Sequence, residues 1–493
     1  MTGPARGIGQ VGDEGGQSVH GAPDFALEEE LTARLLDPSF YAGDPFPHYA
    51  ALRAQAPLAW NDAVGCWIAS RHAEVVEVSR DPRRFSSSRG IMLYEIGQSY
   101  DTPPTMMHTD PPDHTRYRAL VAPGFRPSFV RSLEPMVRRR TCDLLDALDP
   151  GGEVDVAGSL AVPLALQVIS DLLGIPEEEW PRFHRWSDAV IPGAADMPDG
   201  ERHALRTEMV GYLLETAARR RVAPGTDIIS ELVAPPDAER SAPGEAPGLT
   251  DAELAMFLVQ LLVAGNETTR NMMSGGLVAF ASDPDQWQRF RERCDVSAAG
   301  ARGTTGDPAA ARGSTADAAG GPGSAASAAG GPGDRSPVAA RRLAPRPHMP
   351  PSPYGPATPM SRAAAIAVEE MLRYTTPVVS FMRTAVEDTV LAGRLITAGQ
   401  PVLMLYASAN RDEGVFGPTA GSFDAAREPN PHIAFGFGPH FCIGAVLARL
   451  EGRILLEELV GRFASIELAG PVERTPSPVI AGIRRAPLRF QAA

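Results

Sequence analysis

Phe435-Gly-Phe-Gly438-Pro-His440-Phe-Cys442-Ile-Gly444 is the stretch that decides how this chain is read, and it runs straight into AVLARLEGRILLEELVGRF, residues 445–463. A single cysteine thus stands just ahead of a long helical period. A thiolate in that position is stabilised by the free backbone N–H groups of the first helical turn and by the helix dipole. Glycines at 436, 438 and 444 leave the backbone bare enough to approach a flat ligand. A lone Cys in a Gly-rich turn is ordinarily a buried structural residue. The complete pattern F-x-x-G-x-H-x-C-x-G sets Cys442 apart from that background.

Working outward, Thr250-x-x-Glu253 has the spacing of a capping box and is followed by an apolar run, which predicts a helix from Thr250 to about Ala281, ahead of Ser-Asp-Pro at 282–284. In the middle of it stands Ala264-Gly265-Asn266-Glu267-Thr268-Thr269. The small residues leave space beside the helix, and a Thr268 hydroxyl is placed to bond back to a carbonyl and locally open the ladder. An acid next to an alcohol is also a proton relay suited to a dry pocket. Glu370-Met-Leu-Arg373 puts opposite charges on one helix face, a spacing common in surface ion pairs. His114-Thr-Arg-Tyr-Arg118, after Thr109-Asp-Pro-Pro, stacks His114 and Arg118 on one side of a helix.

These motifs, in this order, resemble those of the cytochromes P450 of the bacterial soluble class. The resemblance covers about residues 40–294 and 361–490. It implies a mostly α fold with a small β-rich region, the triangular-prism architecture of that family, with haem b between the Thr250–Ala281 helix and the helix after Cys442. It implies that Cys442 is the axial iron ligand, whose electron donation favours O–O cleavage. Ala264 and Gly265 then belong to the oxygen-binding groove, where Thr268 hydrogen-bonds O2, the co-substrate, and Glu267 helps deliver protons. His114, Arg118, Arg383 and His440 match propionate contacts, because two buried carboxylates need cations, and His432 is a further candidate. Phe435 and Gly444 belong to the haem-binding loop. Glu370, Arg373 and Arg427, the last in FDAAREPNPH, match a structural trio that holds the proximal side of that loop.

Composition bounds the rest. The chain has 493 residues, 43% of them hydrophobic, ample for a large core; length alone suggests two to four domains, whereas the motifs describe one enzyme unit. A net charge of -14 argues against nucleic acid as a partner. The four cysteines, Cys66, Cys142, Cys294 and Cys442, are scattered and form no C-x-x-C, which disfavours a disulfide framework or a zinc site. The first residues, MTGPARGIGQVGDEGGQ, lack the apolar core of a secretory leader, and Leu254–Gly265, interrupted by Gln260, is too short to span a bilayer. The expectation is a cytoplasmic protein without a membrane span.

Along the chain, residues 1–24 read as a disordered Gly-rich tail, 25–294 as the first part of the catalytic domain, 295–360 as a disordered Ala/Gly/Pro-rich insertion, and 361–493 as the haem-binding part. AAGGPG occurs at 318–323 and again at 328–333, with few large apolar residues to offset the ordering entropy. A helix is expected over Pro45–Ala54, helical periodicity resumes near Arg362, and strand-like runs lie at Leu58–Trp60, Cys66–Ala69, Thr389–Leu391, Arg394–Ile396 and Pro401–Leu405.

The resemblance implies a monooxygenase that inserts one oxygen atom of O2 into an apolar small molecule, with electrons from a ferredoxin or flavodoxin-type donor. The chain carries no G-x-G-x-x-G segment and no flavin domain, so the reductase is expected to be separate. The alternative is a haem-thiolate peroxygenase or a non-catalytic haem- or ligand-binding protein; Glu267 and Thr268 argue against it, since an acid–alcohol pair matters only where O2 must be protonated. Phe257, Leu261, Ala264 and Thr268 recur at helical spacing and are expected to face the haem. Ile91, Met92, Leu93, Met106, Met107, Val378, Val379, Phe381, Val479, Ile480 and Ala481 are expected around the distal pocket by resemblance. No unpaired charge stands among them, and AGNETTRN at 264–271 is similar to members acting on steroids and branched or terpenoid lipids; sterol, terpenoid or fatty-acyl ligands are expected to bind.

Overall fold

The capping box at Thr250 is made in both directions. In the computed structural model, which describes residues 25–96, 104–149, 151–190, 197–234, 248–302 and 358–493, the Glu253 amide donates to Thr250 Oγ1 at 3.2 Å and the Thr250 amide donates to the Glu253 carboxylate at 2.8 Å. From that cap a helix runs over Asp251–Ser282, about 48 Å at 1.5 Å per residue. It is the spine of the molecule. Leu258, Leu262, Met273, Leu277 and Phe280 on it are fully buried, so its stability comes from packing on several sides rather than from one amphipathic face. It stops at Asp283, and Pro284, which has no N–H to give, opens the next helix.

Helices Val162–Leu173, Pro359–Thr375 and Ala445–Arg462 pack around this spine. The crossing with Pro359–Thr375 is close: a Cβ on Gly276 would overlap the Met371 side chain. The fold is mostly helical, with four small sheets among the described residues. The largest has the strand order Leu58–Asn61, Cys66–Ala69, Pro401–Leu405, Ser380–Ala385, Phe85–Ser86. Cys66–Ala69 and Pro401–Leu405 run parallel, in register Trp67 to Val402, and the other neighbours are antiparallel. Burial of every residue of Cys66–Ala69 explains its continuous apolar reading. Thr389–Leu391 and Arg394–Ile396 form a separate hairpin.

The expected tail, 1–24, and most of the expected insertion, 303–357, lie outside the described residues. At both edges of the insertion regular structure extends further than its composition suggests. The helix from Pro284 continues to Arg302, and the next begins at Pro359, where Thr358 Oγ1 accepts the Ser361 amide at 3.3 Å. Helices propagate readily through Ala-containing residues once nucleated, and a Thr-Pro pair makes a natural start.

Candidate functional site: a cavity between two helices

Cys442 lies three residues ahead of the helix Ala445–Arg462. The loop is folded back on itself: the Cys442 amide donates to the Phe435 carbonyl at 2.9 Å. Gly436 and Gly438 sit at φ of +71° and +72°, which their neighbours could not adopt without strain. At Gly438 the need is also steric, because a Cβ would lie 2.6 Å from the Ser79 carbonyl. This glycine therefore serves contact with the chain at Ser79–Arg80, not the approach of a ligand. The Cys442 side chain is sunk below the molecular surface yet presents open area, because that area faces an internal cavity. Burial pushes the thiol above its usual range, while the amides of Gly444 and Ala445 and the Arg118 and Arg449 guanidinium groups pull it down. Coordination to a cation is the interaction that makes a buried thiol a thiolate.

The cavity has a volume of about 1000 Å³. Ala264, Gly265, Glu267 and Thr268 of the spine helix line it, as do Phe435, Cys442 and Gly444 of the loop. His114, Arg118, Arg383 and His440 line it too, so the loop, the spine helix and these four groups are brought to one space. The four cationic or imidazole groups lack an answering anion. Among the described residues no carboxylate lies within ion-pair reach of Arg118 or Arg383, and buried His114 Nε2 has no hydrogen-bond partner. His114 and His440 rings stand 4.1 Å apart, and Ser87 Oγ is 3.1 Å from His440 Nε2. Burial, with Arg383, His114 and Arg118 close by, pushes His440 down to about 2. Burial likewise lowers His114, Arg118 and Arg383. Two desolvated guanidinium groups beside two imidazoles are a receptor for a multiply anionic group. A cofactor with two carboxylates and a metal that takes a thiolate fits this donor set.

Within the spine, Thr268 Oγ1 donates to the Ala264 carbonyl at 2.7 Å, while the helix stays continuous past it. Glu267 is buried, with its carboxylate 2.6 Å from the Arg270 guanidinium and 3.2 Å from Asn271 Nδ2. Arg270 and Asn271 were not singled out from the sequence, although their i,i+3 and i,i+4 spacing from Glu267 was there to read.

On the proximal side Glu370 and Arg373 are fully buried and doubly hydrogen-bonded at 2.7 Å. Arg427 Nε donates to both Glu370 oxygens at 3.1 and 3.2 Å, and Asn430 Nδ2 adds a bond at 3.0 Å. Arg373 also donates to the carbonyls of Asn410, Ala420 and Ser422. His432 does not reach the cavity: its Nε2 lies 2.9 Å from Glu369, a carboxylate that outcompetes any distant partner.

Of the apolar residues expected around the distal pocket, Ile91, Met92, Leu93, Met106, Met107, Val378, Phe381, Val479, Ile480 and Leu261 line it. Phe257, Val379 and Ala481 pack into core clusters instead. At that level of the spine the cavity side is carried by Met256 and Gln260, and successive helical residues point about 100° apart. The lining also includes Arg484, so the pocket is not free of charge.

The cytochrome P450 family profile matches residues 364–489. The chain is 34% identical to cytochrome P450 126 of Mycobacterium tuberculosis, over 90% of this chain and 93% of that protein. It is 29% identical to the steroid C26-monooxygenase of Mycolicibacterium smegmatis, over 91% of each. The crystal structure of CYP109E1 from Bacillus megaterium in complex with testosterone superposes with a TM-score of 0.68 at 28% identity, covering 91% of this chain and 99% of that one. The chain belongs to the cytochrome P450 family: it has the family's fold, binds haem b, uses O2 and is an oxygen-incorporating monooxygenase. No helix among the described residues is long and apolar enough to cross a membrane.

Proposed function

We propose that Cys442 ligates the haem iron, that His114, Arg118, Arg383 and His440 hold the propionates, and that Glu267 and Thr268 manage protons in a monooxygenase acting on an apolar substrate of steroid, terpenoid or fatty-acyl size. The observation that carries this reading is the anion-less cationic edge of a cavity shared by Cys442 and Thr268. When bound and reduced in the presence of O2, the haem supplies the oxidising chemistry that places one oxygen atom in the substrate. Phe435 and Gly444 shape the ligand loop, and Ala264 and Gly265 keep the spine narrow beside the iron.

The protein's own part is proton handling and exclusion of water. The Thr268 hydroxyl, now spent on the Ala264 carbonyl, can rotate to present its proton toward the cavity. Glu267 must first leave Arg270 to act as a carrier, so the ion pair holds the acid in reserve. Met92, Leu93, Val378 and Phe381 surround the substrate space with apolar surface. Relatives named for steroid oxidation and for a testosterone complex support the steroid end of the substrate range.

Electrons come, on this reading, from a ferredoxin or flavodoxin-type donor and a separate reductase in the cytoplasm, and residues 25–294 and 361–493 form one catalytic unit interrupted by the insertion. Two measurements test the assignment. The reduced carbon-monoxide complex should show the red-shifted Soret band of a thiolate ligand and lose it in Cys442→Ala. Steroid, terpenoid or fatty-acyl ligands should shift the ferric Soret band; no response to any of them, with tight binding of a small multiply charged compound, overturns the substrate class.

A further inference from the structure

Beside the Glu370–Arg373–Arg427 cluster lies a second charged group, outside the lining of the cavity. Glu369, the residue before Glu370, receives Arg449 in a two-point contact: Nε to Oε1 at 2.6 Å and the terminal nitrogen to Oε2 at 2.9 Å. Arg449 lies seven residues after Cys442 on the cysteine-loop helix, and its guanidinium stands 4.6 Å over the Phe435 ring. Phe435 is the residue whose carbonyl accepts the Cys442 amide. His432 closes the group. Its Nδ1 accepts the Ala434 amide at 3.2 Å, so the ring proton sits on Nε2 and is donated to Glu369 at 2.9 Å. The group thus pairs one carboxylate with one guanidinium, both largely withdrawn from water, with the imidazole turned to the carboxylate.

We propose that Glu369, Arg449 and His432 are positioning residues that set the electron affinity of the iron by balancing a buried charge pair against the Cys442 loop. This rests on Cys442 being the ligand. Arg449 grips the loop through the Phe435 face and its charge favours the anionic sulfur. The Glu369 carboxylate cancels that charge at a distance. Adding an electron makes the iron site more negative, so uncovering Arg449 favours reduction and uncovering Glu369 opposes it.

The test is a potentiometric titration of the ferric/ferrous couple in the haem-loaded protein, with the reduced carbon-monoxide spectrum recorded for each variant. Glu369→Gln should move the midpoint to more positive values and Arg449→Gln to more negative ones. The double variant, with neither charge, should return close to the starting value, and Arg449→Lys should fall between wild type and Arg449→Gln. A purely mechanical brace would weaken haem retention in both single variants and give no opposite shifts. Shifts of the same sign, or unmoved potentials with the thiolate band intact, overturn the proposal. If Arg449→Gln does not retain haem, Glu369→Gln and the double variant decide it by the same comparison. A wild-type protein without the thiolate band would instead overturn the Cys442 assignment, and the two failures are distinguishable.

Discussion

Glu370 and Arg373 are joined by two hydrogen bonds of 2.7 Å, and neither side chain reaches solvent. The pair is also satisfied from outside: Arg427 and Asn430 close around the carboxylate, and three carbonyls around the guanidinium. Removing one member leaves a buried charge short of its main counter-charge, a loss of about 3–5 kcal/mol in comparable buried pairs. Glu370→Ala and Arg373→Ala should each lower the melting temperature and speed haem loss, and the double variant should cost less than the sum. Additive losses in a double-mutant cycle would contradict the coupling.

Thr268→Ala removes the one hydroxyl that bonds the Ala264 carbonyl inside the cavity. Haem and substrate binding should persist while product per electron falls and peroxide rises. Loss of a positioned proton donor slows the step it serves by roughly 10²–10⁴-fold. Unchanged coupling of electron use to product excludes the role.

The cationic edge should be worth more to cofactor retention than to folding of the empty chain. Arg118 and Arg383 already lie below their usual pKa through burial and have no carboxylate within ion-pair reach among the described residues. Arg383→Leu should therefore leave the apoprotein as stable or more stable, while haem dissociates faster, by the factor of about 10 that each 1.4 kcal/mol brings. Transfer of haem to a competing apoprotein measures this; an unaltered transfer rate would remove Arg383 from the propionate site.

Acid should act partly through Glu369. Burial pushes its carboxyl up, but the Arg449 and His432 contacts outweigh burial and bring it from 4.5 to about 2. A carboxyl lowered on folding adds stability that is complete above the unfolded value and is lost as pH falls from there toward the folded one. Glu369→Gln should accordingly flatten the loss of stability between about pH 4.5 and 2. Parallel acid profiles in variant and wild type would show that other groups control it.

Much of the site was legible because its signals are local. Thr250 and Glu253, His114 and Arg118, and Glu370 and Arg373 each lie within about one helical turn, where backbone geometry alone sets side chains side by side. The strands Thr389–Leu391, Arg394–Ile396 and Pro401–Leu405 were equally plain, being short β-rich runs between turns. Arg270 belongs to the same local class, since its i,i+3 spacing from Glu267 already puts it on that face of the helix.

By itself the sequence determined that a cysteine would stand before a helix, that an acid and an alcohol would share the middle of a long capped helix, and that one Glu–Arg pair would share a face. These follow from dihedral geometry over a few residues. Only the tertiary structure decided which partners those groups would find. It brought Asn430 onto Glu370 from 60 residues away and turned His432 to Glu369 instead of the cavity. It rotated Met256 rather than Phe257 toward the pocket and placed Arg484 in the lining. The reason is that a desolvated charge takes the nearest complementary group delivered by packing, and packing depends on how whole helices cross, which residue spacing along one of them does not encode.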